Sequence, residues 1–259
     1  NINIANGQQK GEAYRPGNNK VNIQGNLRTQ GQWVGAGSGG YINVALTTPD
    51  STFNGRADSG SYAKQAGWTS LWLQNGATWN NEVVDTIIKN PWGGEKWAGS
   101  RVTNFTGGES EAKAGNIFQK DNNSLTISNY SGNTNIFYAH SGNGEAAENY
   151  AAGNTVIKGA AAGSVVSMIT DNTGVAMDNK DSVANVLNAL AGKLTYSNYV
   201  NGENNLTGYV KIADGLTASS AALKTGDISF NKEDGKGSYN AQAPVVPEAK
   251  TEFTDRKST

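Results

Sequence analysis

Apolar and polar residues alternate in short runs along this chain. Val21 and Ile23, Ile42 and Val44, and Leu125 and Ile127 are each separated by one polar position, and Leu71 and Leu73 by Trp72. A period of two is that of a strand with one face buried and the other wet. Such runs recur as KVNIQGN (20–26), GYINVAL (40–46), TSLWLQNG (69–76), NSLTISNYSGN (123–133), TNIFYAH (134–140), NTVIKG (154–159) and SVVSMITDN (164–172). Strands at this spacing with Gly/Asn corners predict an all-β fold: a sandwich, a barrel or a solenoid. Consecutive runs often meet at one NG, GN or SGN corner and look alike without evident hairpin pairing. Asn can also stack coil over coil and satisfy turn amides. These features point to a parallel β-helix, with a β-sandwich as the alternative because the repeat is irregular.

Two segments leave the pattern. NNEVVDTIIKNP (80–91) sets Val83, Val84, Ile87 and Ile88 at helical spacing, and Pro91 stops the turn. MDNKDSVANVLNALAGKL (177–194) predicts a clearer helix with a stripe of Val183, Val186, Leu187, Leu190 and Leu194. Asp181 or a neighbour caps its start, and Gly192 suits its end. Strand-like runs follow, with Asp214-Gly215 as a tight turn. The expected division is a β-helix over 1–175 with an insert near 80–99, a helix-plus-hairpin cap over 176–243, and a linker over 244–259. A cap is physically expected, because an open solenoid end exposes unpaired edges and apolar core.

Composition sharpens this picture. The 259 residues include 33 Gly and 33 Asn, the residues that tolerate left-handed backbone, so the chain turns often. Only 17% of residues are charged and the net charge is −1, which offers no electrostatic case for a nucleic-acid partner. Cysteine is absent, which removes disulfides and thiolate chemistry. No apolar run approaches the roughly 20 residues of a membrane-spanning helix. The start at Asn1 suggests a piece processed or excised from a longer chain.

The series STFNGRADSG, GWTSLWLQNGATWNN, SRVTNFTGGES and NSLTISNYSGNTNIFYAH resembles passenger regions of Gram-negative autotransporters of the pertactin and AIDA adhesin kind. The matching residues are Gly76, Ala77, Thr78 and Trp79, then Ser100 to Val102, then Leu125 to Asn133. The likeness covers roughly residues 20–170, and 181–239 also looks like modules of large surface autotransporters of anaerobic bacteria. The resemblance implies a right-handed parallel β-helix and export across the outer membrane to the cell surface. It also implies adhesion, a virulence trait, to a host or bacterial surface protein or glycan. Self-association is a variant, and membrane attachment would come only through a C-terminal translocating β-barrel outside this stretch.

Candidate chemistry is sparse. The ADSGS stretch around Ser59 looks like a serine-protease nucleophile loop. The chain's one histidine, His140, follows it, however, and Ala57 stands where that motif has Gly. The stretch therefore reads as a turn between strands. His140 alone makes no metal site, and Glu145 and Glu148 beside it sit in an Ala/Gly/Asn loop. Asp58, Asp85, Glu109 and Glu111 are the carboxylates to weigh for a polysaccharide lyase or hydrolase, but none lies in a recognisable catalytic motif. GGESEAK reads as an exposed acidic turn, and EDGKG (233–237) lacks calcium-loop spacing. No catalytic residue, metal or cofactor is expected.

Tryptophan is more informative: Trp68, Trp72, Trp79, Trp92 and Trp97 crowd into one short region. With Leu71 and Leu73 inward, Trp72 points outward, and Trp92 and Trp97 lie in a Gly-rich loop. Trp72, Trp92 and Trp97 are the candidate ligand contacts, since exposed aromatic faces suit sugars and protein hot spots. Trp68 and Trp79 are expected to pack over the 80–99 insert and the side of the solenoid. The resulting expectation is a non-enzymatic surface adhesin. The alternatives are a carbohydrate-active β-helix enzyme and a ligand-free stalk.

Overall fold

A computed structural model describes residues 2–4, 19–28, 40–58, 68–82, 99–120, 123–139, 153–171, 178–213, 215–218 and 222–240. Its elements are mostly strands lying in parallel sheets, with one α-helix among the described residues.

One seven-stranded sheet, sheet A, is parallel throughout. Its order is β1 (Ile2–Ile4), β4 (Tyr41–Leu46), β7 (Trp68–Leu73), β9 (Gly99–Thr106), β11 (Ser124–Ser131), β13 (Thr155–Ala160) and β15 (Leu194–Tyr196). The strands between them in sequence build sheet B. In chain order these are β2 (Asn22–Gln24), β5 (Thr52–Asn54), β8 (Thr78–Asn81), β10 (Gly115–Gln119), β12 (Asn133–Tyr138), β14 (Ser164–Asp171) and β16 (Leu206–Ala213), each parallel to the next. β3 (Leu27–Arg28) and β6 (Ala57–Asp58) form a small parallel pair. From β7 to β16 the chain passes from one sheet to the other at every step.

The inward residues stack rung on rung. Phe53, Trp79 and Ile117 are register neighbours in sheet B, as are Val102, Ile127 and Ile157 in sheet A. All six are buried in one continuous apolar core. The paired alternations read from the sequence hold at Ile42, Val44, Leu71, Leu73, Leu125 and Ile127, while Val21 and Ile23 are only partly buried. On the outside of sheet B, Phe118 and Phe137 stack 4.5 Å apart, and Ile169, Ala213 and Leu216 complete a second, small apolar cluster.

Amide side chains form hydrogen-bonded ladders between rungs. Asn54 Nδ2 donates to Gln24 Oε1 (3.0 Å), Asn80 Nδ2 to Asn54 Oδ1 (2.6 Å) and Asn135 Nδ2 to Asn116 Oδ1 (3.1 Å). A parallel, in-register stack places like residues side by side, so an amide can give to one neighbour and accept from the other. Polar groups also line part of the interior. Ala57 N donates to Ser100 Oγ (3.0 Å), Ser100 Oγ to Asn81 Oδ1 (2.6 Å), and Asn81 Nδ2 to Gln119 Oε1 (2.5 Å). Gln119 Nε2 reaches Thr155 Oγ1 (3.2 Å), which shares a hydrogen bond with the Tyr138 hydroxyl (2.8 Å). Burial pushes the Tyr138 hydroxyl up to about 12, so it stays a donor, to Gly153 O (2.9 Å).

Helix α1 (Lys180–Ala191) lies between β14 and β15 in sequence and packs on β14, β16 and β18 (Gly237–Asn240). Its apolar stripe joins the main core, as expected, but its cap is Asn179: Oδ1 accepts from Asp181 N (3.0 Å) and Ser182 N (3.2 Å). Leu194, the last residue of the expected stripe, is buried in β15 instead. A hairpin is present, but Asp214-Gly215 is not a tight turn closing it, because β16 pairs antiparallel with β17 (Ala222–Phe230) with Ala213 opposite Ala222; β17 pairs antiparallel with β18. Parallel pairing extends beyond residue 175, since β15 and β16 are further rungs of sheets A and B.

Two local readings are corrected. Ala57 and Asp58 are not in a turn; they form β6 against Leu27 and Arg28. Asn80 and Asn81 belong to β8 rather than a helix, because the sheet B ladder continues through them. Ser59, the rest of the 80–91 helix, the Asp214 half of the expected turn and the 244–259 linker lie outside the described residues. No helix among the described residues is long and apolar enough to cross a membrane.

Candidate functional site

Among the described residues, a groove of about 460 Å3 lies on the outer face of sheet A, within the range typical of small-molecule sites. It forms where three rungs share one sequence-encoded irregularity. In β9, β11 and β13 the inward residues Val102 and Phe105, Ile127 and Tyr130, and Ile157 and Ala160 are separated by two residues instead of one. The local break from period two sets Asn104, Asn129 and Gly159 side by side on the outer surface. Phe105 and Tyr130 stack beneath them with ring centroids 5.7 Å apart and make a rigid floor.

The amides continue a ladder across the groove. Asn129 Nδ2 donates to Asn104 Oδ1 (3.0 Å), and Asn104 Nδ2 to Ser70 Oγ (3.2 Å). At the next rung the ladder has glycine. A Cβ at Gly159 would lie 3.1 Å from Asn198 Nδ2, so the Asn198 amide leans into the space that a side chain would take.

Glu203 walls the far end. β15 pairs with β13 only at residues 155–157, because the chain then turns into a 3-10 helix, Ser197–Asn201. The rest of the β13 edge would lack a partner, and side chains supply one. Glu203 Oε1 accepts from Ala160 N (2.9 Å), and Asn205 Nδ2 donates to Ala160 O (3.0 Å). Glu203 also accepts from the buried Tyr196 hydroxyl and, through Oε2, from Asn198 Nδ2 (3.0 Å). The Ala160 N–H, followed by the Tyr196 hydroxyl, holds the Glu203 carboxyl below its ordinary range. Burial, then the facing Glu203 carboxylate, raises the Tyr196 hydroxyl. Glu203 is therefore an ionised clamp rather than an acid poised to give a proton. It is the one carboxylate in the groove lining, whereas glycoside hydrolysis calls for a pair.

The sequence-read candidates fall in different places. Trp72 is outward and half-buried, with Thr106 and then Ser131 as its register neighbours, so it stands beside the groove on the same face. Trp92, Trp97, Asp85, His140, Glu145 and Glu148 lie outside the described residues, and the side chain of Asp58 is likewise undescribed. Trp68 is 45% exposed and stacks on Tyr41 at 6.4 Å. Trp79 is a correction: its ring does not cover the outside but is fully buried in the core. There it stacks on Phe53 at 5.4 Å, and its Nε1 donates to Gly55 O (2.9 Å). Strand parity explains this, because Ala77 and Trp79 both face inward. Glu109 and Glu111 are exposed and ion-paired with Lys113 and Lys211.

Asn129, Asn198 and Glu203 were not singled out in the sequence. A signal was present, for TNFTGG (103–108), SNYSGN (128–133) and SNYVNG (197–202) share an Asn followed by an aromatic residue, and each Asn reaches the groove. No model of a known protein family, no curated protein and no solved structure matches the chain.

Proposed function

We propose that this chain is a right-handed parallel β-helix that serves as the surface stalk of an autotransporter-type adhesin. In this reading it is exported to the cell surface of a Gram-negative bacterium and holds a protein or glycan on its side. The observation that carries the proposal is the step-by-step alternation of the chain between two parallel sheets, with like residues in register. A solenoid accounts for that alternation without further assumptions. Parallel crossovers are right-handed in almost all sheets, which supports the handedness.

The residues behind the autotransporter likeness have physical roles that suit such a coil. Gly76 takes φ +78° at the corner, and Ala77 and Trp79 then enter the core. In the SNYSGN stretch, Gly132 takes φ +81° between β11 and β12. A rigid ladder of coils would give reach, and its outer faces would give contact area.

Adhesion of protein-coated beads tests the function. Beads carrying the chain should bind epithelial cells or bacterial lawns saturably and be displaced by the soluble chain. Retention equal to that of beads carrying an unrelated β-rich protein removes the adhesin reading.

A further inference from the structure

We infer that the outer groove of sheet A binds an uncharged oligosaccharide, seated against the Asn129 and Asn198 amides, the second of which leans over Gly159. This rests on the adhesin reading only in giving it a ligand class, since the groove's chemistry stands on its own geometry.

The lining identifies the class. Asn129 gives one N–H to Asn104 and keeps its Oδ1 and second N–H, while Asn198 gives one N–H to Glu203 and keeps its Oδ1. An amide with both a donor and an acceptor to offer matches adjacent sugar hydroxyls, each of which can donate and accept. Asn129 stands one strand spacing, ~4.8 Å, from Gly159, and the Asn198 amide leans over Gly159 from the other side, so the two amides present their polar groups to the same stretch of the groove. Ser131 and Thr106 add hydroxyls on the neighbouring row.

Charge argues against acidic ligands. The lining contains no lysine or arginine, and its one carboxylate, Glu203, is ionised with both oxygens already accepting. A uronate, sialate or sulfate held by this lining would meet the like charge of Glu203, since Lys158, the exposed residue before Gly159, is not part of the lining.

Trp72 extends the site. β7 lies three strands from β13, so Trp72 stands roughly 14 Å from Gly159 along the stack. A chain of about three sugar units laid across the rungs would place one ring against the indole and another against the Asn129 and Asn198 amides, with the intervening unit over Thr106 and Ser131. Stacking on an aromatic face and hydrogen bonding to amides together are what a neutral pyranose offers.

The test uses the intact chain against immobilised neutral trisaccharides of glucose, galactose, mannose and N-acetylhexosamines, with matched sialylated, uronate and sulfated trisaccharides. Asn129→Ala removes one amide at an exposed position, and Gly159→Ser pushes the Asn198 amide out of its place over Gly159. Circular dichroism melts check that both variants fold. Retention of at least one neutral trisaccharide, weakened tenfold or more in each folded variant, supports the site. Retention of acidic members alone, or of none, overturns it, and so does neutral binding unchanged in Asn129→Ala. If the array is blank while coated beads still adhere to cells, the groove assignment fails and the adhesin reading survives. If the array binds through the groove while beads do not adhere, the adhesin reading fails and the groove stands.

Discussion

Replacing Trp79 tests how the core is built. Its side chain is fully enclosed between Phe53 of β5 and Ile117 of β10, and its Nε1 holds Gly55 O at 2.9 Å. Truncation to alanine removes nine ring atoms from a core that cannot collapse without moving two neighbouring rungs. Losses of this kind run to about 3–5 kcal/mol. The Phe53 pair at 5.4 Å is worth about 0.5–1.5 kcal/mol of aromatic contact beyond area alone. Trp79→Phe keeps a stacked ring but loses the indole donor, for a cost of about 1–3 kcal/mol. Whole-domain stability is typically about 5–15 kcal/mol, so Trp79→Ala should remove a large share of it. Urea unfolding followed by far-ultraviolet circular dichroism gives the difference, with Trp72→Ala as the comparison. The expected order of loss is Trp79→Ala, then Trp79→Phe, then Trp72→Ala. A loss below about 1 kcal/mol for Trp79→Ala would refute the enclosed position.

Three further outcomes follow from single contacts. Gln119→Leu removes the buried amide that joins Asn81 to Thr155, and leaving those groups unsatisfied should cost about 1–3 kcal/mol in urea unfolding; an unchanged midpoint would refute the polar spine. Gly55→Ala puts a Cβ 2.1 Å from Gly25 O at φ +145°, so its melting temperature should fall sharply, and a wild-type melt would contradict the close approach of rungs. Glu203 has a folded carboxyl below its ordinary range, so its contribution is present above the unfolded value of about 4.3 and is lost as pH falls through the folded value. Glu203→Gln should therefore lower the melting temperature at pH 7 and converge on the wild type under strong acid; an equal gap at both pH values would show that the charge is not what clamps the turn.

The strand positions were legible because inward and outward residues alternate in the sequence, as at Ile42 and Val44 or Leu125 and Ile127. The rung spacing was not, because the chain travels 19 residues from Asn116 to Asn135 but 38 from Asn81 to Gln119. The strands are similar and the connections between them are not, so no fixed period survives. Trp79 was misplaced because a tryptophan beside polar Asn80 and Asn81 looks like surface, whereas parity with Ala77 governs where it points. The groove was hidden for a related reason. Asn104, Asn129 and Asn198 come together only once three strands depart from period two at the same place. Glu203 acquires its task only because β15 ends early and leaves Ala160 N–H in need of an acceptor.

Direct evidence for the stack would come from paired cysteines, which a cysteine-free chain accepts without competing thiols. Arg101 pairs with Thr126 near the start of β9 and β11, and Thr106 pairs with Ser131 at their ends. Neighbouring parallel strands keep both pairs about 4.8 Å apart, within disulfide reach. In an antiparallel arrangement at least one pair would stand roughly 17 Å apart or more, from five residues at ~3.3 Å each. Mass spectrometry after mild oxidation should find a disulfide in both double variants, Arg101→Cys with Thr126→Cys and Thr106→Cys with Ser131→Cys. A disulfide in only one of them would contradict the parallel stack.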